Sequence, residues 1–107
     1  MDKIIIGPQT FEIKIIDDLH DGANGLDGHI VFGKSEIRLD SDLDEFGKLQ
    51  TTWHEIIHGI LSQAGLHEIY SKQHEITEQV VEAISYGVLR VLQDNPLLCQ
   101  NVYKWDE

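Results

Sequence analysis

The stretch Thr52-Trp53-His54-Glu55-Ile56-Ile57-His58-Gly59-Ile60-Leu61 decides how the chain is read, because it sets His-Glu-x-x-His inside a run of helical character. Four residues along an α-helix rise about 6 Å and turn little more than once, so His54 and His58 project from one face. Two imidazoles held in this way match the ligand preference of Zn²⁺. Glu55, beside the first histidine but not itself a ligand, is placed to accept a proton from water at the metal. The spacing carries the signal: His-Glu occurs three times, as His54-Glu55, His67-Glu68 and His74-Glu75, yet only the first has a histidine four positions after its opening residue. With six histidines in 107 residues, a shuffled chain would hold the full pattern about 3% of the time. The plainer alternative is a pair of helix histidines that serve core hydrogen bonds or face water.

Working outward, Asp40-Ser41-Asp42 supplies capping oxygens, and Asp42, Asp44 and Glu45 put negative charge where a helix N-terminus favours it. A long helix is therefore predicted from about residue 42 to 64, closed by Gly65 as a left-handed C-cap. Leu43, Phe46, Leu49, Trp53, Ile57 and Ile60 recur at helical spacing and mark its predicted buried side. A second helix is expected from about His74 to Gln93, with Val80, Val81, Ile84, Val88, Leu89 and Leu92 as its apolar stripe and Asp94-Asn95-Pro96 as its stop. Leu97 to Glu107 reads as a short helix packing back on the core, and Trp53 and Trp105 read as packing residues.

Before the long helix, Lys3–Ile6 and the alternating Phe11, Ile13 and Ile15 predict one hairpin around Gly7-Pro8-Gln9. Residues Gly28 to Phe32 and Ser35 to Leu39 predict another, with Gly33 supplying positive φ for a tight turn. Asp17 to Asn24 reads as a loop carrying an exposed His20, and His29 falls in a strand with no assigned role. The expected fold class is α+β: a small antiparallel sheet of N-terminal hairpins packed against the His-Glu-x-x-His helix and a second ligand-bearing helix.

A chain of 107 residues with 41% hydrophobic content suits a single domain, 1–107, with one modest core. Nineteen acidic against eight basic residues give a net charge of −11, which opposes binding to nucleic acid or to anionic membrane. The single Cys99 cannot form an internal disulfide, and Met1 to Gly7 holds too short an apolar run for a signal peptide, so the expected compartment is the cytoplasm. No apolar run approaches the ~20 residues a spanning helix needs.

Two histidines leave a catalytic zinc site incomplete, since such sites use three protein ligands and keep a fourth position open. Leu61 and Ala64 stand where the metzincin pattern has glycine and histidine, which excludes that subclass. Glu75, Glu78 and Glu82 remain, the last two one turn apart on one face of the second helix. Here the chain resembles the gluzincins, the thermolysin-like branch of the zincins, in which a glutamate on a later helix is the third ligand. Glu78 lies twenty positions beyond His58, an interval similar to that family's. The resemblance implies Glu78 as ligand and Glu82 as the acidic residue buttressing the first histidine. Residues Glu78-Gln79-Val80-Val81-Glu82-Ala83-Ile84 also resemble the glutamate helix of ImmA/IrrE-type peptidases, and the whole chain looks like small metallopeptidase-like proteins of phages and prophages.

The resemblance covers about residues 50 to 90. It implies a zinc metallopeptidase acting on a protein or peptide, with Glu55 as general base. Relatives of thermolysin use further domains to supply a transition-state histidine or tyrosine. In this shorter chain Tyr70, His74 and Tyr86 are the available stand-ins, and no spacing rule selects among them. Two rival readings are a zincin-fold binding or regulatory module and an acidic inhibitor of a basic partner.

Overall fold

In the computed structural model, which describes residues 2–66 and 74–98, the N-terminal half forms two β-hairpins laid side by side. Strand β1 (Lys3–Ile6) turns through Gly7-Pro8 into β2 (Gln9–Ile16), pairing antiparallel with Ile6 opposite Gln9. Gly7 adopts a φ of 55°, which glycine enters without the steric cost a side chain would add. The second hairpin joins β5 (Gly28–Val31) to β6 (Glu36–Asp40), also antiparallel. Its turn differs from the predicted one. A 3₁₀ segment, Phe32–Lys34, fills it, and Ser35 rather than Gly33 takes the positive φ, at 52°. Gln9 braces this turn, its side-chain amide donating to the Phe32 carbonyl and the Ser35 hydroxyl at 3.0 Å each.

The expected α+β class holds, with a mixed rather than wholly antiparallel sheet. Its order is β1-β2-β6-β5, and β2 runs parallel to β6 with Ile13 opposite Ile37. Both hairpins meet through their second strands, which point the same way, and the intervening chain is long enough to return the backbone to the far edge. Part of that connection forms a small ribbon, β3 (His20–Asp21) with β4 (Asn24–Gly25), inside the predicted loop. His20 is exposed there, as expected. Ile6, Phe11, Ile30, Ile37 and Leu39 form the core of the sheet, and Phe11 and Phe32 meet edge to face with centroids 6.1 Å apart.

Helix α1 spans Glu45–Gln63. It starts later than predicted because Asp40 is already engaged, accepting from the backbone N–H groups of Leu19 and Asp42, while Asp44 caps the helix by accepting from Gly47 N–H at 2.7 Å. It ends as predicted. Gly65 has a φ of 77°, and the bonds Leu66 N–H to Leu61 O and Gly65 N–H to Ser62 O close a Schellman motif.

The predicted buried side of α1 needs correction: Phe46, Leu49 and Ile60 are 52%, 42% and 46% exposed, and of that stripe only Ile57 is buried. The helix instead faces the sheet with Thr52, Glu55 and Gly59. Small residues decide this face. A Cβ on Gly59 would lie 3.0 Å from Ile6 Cδ1 and 3.2 Å from Ile30 Cδ1, and one on Gly28 would lie 2.4 Å from Thr51 Cγ2. The Gln63 side-chain amide also donates to the Ile6 carbonyl, pinning the end of α1 to the first hairpin.

Helix α2 spans His74–Asp94, with its side chains described from Thr77 onward. Thr77, Val81, Ser85 and Leu89 form its buried row, while Ile84 from the predicted stripe is 40% exposed. Neither described helix is long and apolar enough to cross a membrane. Tyr70, Cys99 and Trp105 lie outside the described residues, as do the side chains of His74 and Glu75.

Candidate metal centre

On α1, His54 and His58 occupy the flank between the face laid on the sheet and the face turned to α2, with ring centroids 5.0 Å apart. Across the seam, Glu78 and Glu82 project from consecutive turns of α2. The Glu78 carboxylate spans both rings: its Oε2 lies 3.0 Å from His54 Nε2 and its Oε1 lies 2.9 Å from His58 Nε2. One ligand atom from each of His54, His58 and Glu78 can be chosen so that all lie within 4.8 Å of one another. Two imidazoles and a carboxylate converging on one point form a donor set that fits zinc, with a side open to the cleft. The structure thus brings together the three residues predicted as ligands.

Glu82 takes the other side of His54. Its Oε2 lies 3.2 Å from His54 Nδ1, and its Oε1 accepts from the Gln50 side-chain amide at 2.8 Å. A carboxylate on the far ring nitrogen leaves Nε2 to face the metal position, as outer-shell partners of ligating histidines do. Gln50 played no part in the sequence reading. Its signal was available, since it stands one helical turn before His54.

Glu55, next to His54 on α1, lines the same cleft as His54, His58 and Glu78 and is 6% exposed. Burial pushes its carboxyl up to about 7, against the lowering influence of His54, while Glu78 and Glu82 add to the rise. The Ile30 backbone N–H donates to it and favours its ionised form. This contact ties the predicted base to strand β5, at one edge of the sheet. Gly28 permits the approach: a Cβ there would lie 3.4 Å from Glu55 Oε2 besides striking Thr51.

These groups line an open cleft of about 1060 Å³ between the β3–β5 side and the two helices. His29 and Tyr86 also line it, Tyr86 one turn beyond Glu82 and 49% exposed. Of the three stand-ins for a transition-state donor, Tyr86 is the one whose side chain is described, and it borders the cleft. Compared with protein-family profiles, with curated proteins and with solved structures, the chain matches none.

Proposed function

We propose that this chain is a small zinc-dependent metallopeptidase that hydrolyses peptide bonds in a protein or peptide substrate. One observation carries the reading: two α1 histidines and an α2 glutamate converge on a single point beside a buried carboxylate that is not part of the triad. When bound, Zn²⁺ supplies a Lewis acid that polarises a carbonyl and brings the pKa of water towards ~7. The chain's own groups do the rest. Glu55 accepts the proton of the attacking water at its carboxylate and passes it to the leaving amine. A base whose pKa lies near neutrality suits both halves of that transfer, and the Ile30 N–H fixes the carboxylate's direction.

Strand β5 is an edge strand of the sheet, and its Gly28, His29 and Ile30 line the cleft. An extended segment of substrate can add to such an edge through main-chain hydrogen bonds, which would lay its backbone past Glu55. The cleft is large enough for a peptide segment rather than a lone ion. Tyr86 on the opposite rim is the available donor for a developing oxyanion.

The test is metal analysis of tag-free protein followed by cleavage assays on a peptide mixture. We expect about one zinc per chain. Glu55→Gln should keep that zinc while losing roughly 10²- to 10⁴-fold in cleavage rate. A folded protein that takes up no zinc on titration overturns the proposal, and so does a Glu55→Gln variant that cleaves within about tenfold of wild type.

A further inference from the structure

We propose that Gln50 is a positioning residue for the metal centre, acting through Glu82 on His54; the inference rests on the metal reading above. The juxtaposition is a chain of three groups: Gln50 Nε2 donates to Glu82 Oε1 at 2.8 Å, and Glu82 Oε2 stands 3.2 Å from His54 Nδ1. The far nitrogen of the same ring faces the ligand position beside Glu78.

The need for a third group follows from exposure. Glu82 has a side chain 46% exposed, whereas His54 is at 13%. A half-exposed glutamate on a helix surface moves among several rotamers, and holding one costs side-chain entropy. Left alone, Glu82 would present its oxygen to Nδ1 only part of the time. Fixing Oε1 on the Gln50 amide selects the rotamer that leaves Oε2 on the ring.

Gln50 suits this task in position and in chemistry. It precedes His54 by four residues on α1, so the two side chains share a face and both can reach the same carboxylate across the seam. An amide donates without bringing a charge that would compete with the metal, as lysine or arginine would. The nitrogen it turns to Glu82 has no free lone pair, so that atom does not compete with His54 as a ligand. Thr51, His54 and Glu55 from α1 and Glu78 from α2 line the cleft together with Gln50 and Glu82. His58 meets Glu78 and provides an internal comparison within the same centre.

The experiment uses the full chain loaded with zinc. Gln50→Met, which keeps length and removes the donor, should weaken zinc binding about 3- to 10-fold, less than direct loss of an outer-shell partner. In a Glu82→Ala background the same substitution should cost nothing further. In ¹⁵N-labelled protein, solvent exchange of the His54 Nδ1–H should quicken in Gln50→Met while that of the His58 ring N–H stays put. Gln50→Lys, which retains a donor, should keep the His54 proton protected. Equal loss of affinity in both backgrounds overturns the inference. So does unchanged affinity in Gln50→Met, or equal quickening at both histidines, which would show α2 moving as a body. Failure of the wild type to bind zinc in the first titration overturns the metal reading itself and is told apart by that step.

Discussion

Under α1 the sheet presents Ile6, Phe11, Ile30, Ile37 and Leu39, none more than 8% exposed, and Ile56 of α1 packs against them. Between α1 and α2, the side chains that meet include His54, His58, Gln50, Glu78 and Glu82, with the two carboxylates 39% and 46% exposed. The first region gains stability by removing apolar surface from water, at about 1.5–3 kcal/mol for each large side chain fully buried. The second also buries Val81 and Leu89 of α2, but around its two imidazoles it gathers negative charge that stays partly exposed. A cation there would offset that repulsion. The sheet core therefore carries stability and the histidine–glutamate cluster the proposed chemistry, and changes in the two should separate in experiment.

The widest separation is between Phe11→Ala and Glu78→Gln. Phe11 is fully buried at the centre of the sheet, so its truncation should cost about 3–5 kcal/mol of unfolding free energy. Zinc stoichiometry of the fraction still folded should stay at one. Glu78→Gln removes the carboxylate that spans both histidines and should weaken zinc by more than about 100-fold, beyond the range of outer-shell changes. Its metal-free stability should move by less than about 1 kcal/mol, since the side chain is substantially exposed. Denaturant melts and zinc competition titrations on both variants give the answer. If Phe11→Ala destroys zinc binding in folded protein, the two regions are a single cooperative structure.

A smaller effect lies where the regions touch, at Glu55. Its folded pKa of about 7 lies above the ordinary 4.5, so the folded state prefers the protonated form. Below 4.5 the carboxyl is protonated in both folded and unfolded chains. As pH rises from 4.5 to 7 the unfolded chain ionises first, and metal-free stability should fall by about 3 kcal/mol across that window and then level off. Urea melts from pH 4 to 8 on wild type and Glu55→Gln isolate the contribution as the difference between the two profiles. Parallel profiles would mean that Glu55 is solvated in solution. Zinc at the neighbouring histidines should flatten the wild-type slope, because a dication favours the ionised carboxylate.

What the sequence made legible follows the same division. His54, His58 and Glu55 were readable because a helix converts a four-residue interval into a shared face, and Glu78 and Glu82 because one helical turn separates them and the resemblance to the gluzincins favours them over Glu75. Where α1 turns was not readable from apolar periodicity. The side chains it lays on the sheet include Thr52, Glu55 and Gly59, which contribute nothing to a hydrophobic stripe, while Phe46, Leu49 and Ile60 make a stripe that faces outward. The helix start was displaced because Asp40 spends its carboxylate on Leu19 and Asp42, and no local rule distinguishes it from Asp44 as a cap. The parallel pairing of β2 with β6 is a long-range choice between two locally complete hairpins. Ser35 in the left-handed region reflects a turn with the glycine at a different step.

The smallest predicted effect sharpens the contact between the two regions. In Gly59→Ala two influences oppose each other: alanine in a helix interior gains about 1 kcal/mol over glycine, while forcing a methyl into a packed interface costs about 1–3 kcal/mol. The added Cβ would stand 3.0 Å from Ile6 Cδ1 and 3.2 Å from Ile30 Cδ1, tighter than ordinary contact, and both isoleucines are already buried in the core. Packing should win, with a net loss of about 1 kcal/mol. The more telling consequence concerns Ile30, whose backbone N–H orients Glu55. Moving β5 by a few tenths of an ångström should lower peptide cleavage about 3- to 10-fold through misplacement of the base, with zinc affinity unchanged because His54, His58 and Glu78 meet at the seam between α1 and α2, away from the contact of Gly59 with Ile6 and Ile30. A stabilised variant with full activity would show that Ile6 and Ile30 can rotate clear, and that the close approach of helix and sheet is not what sets the base in place.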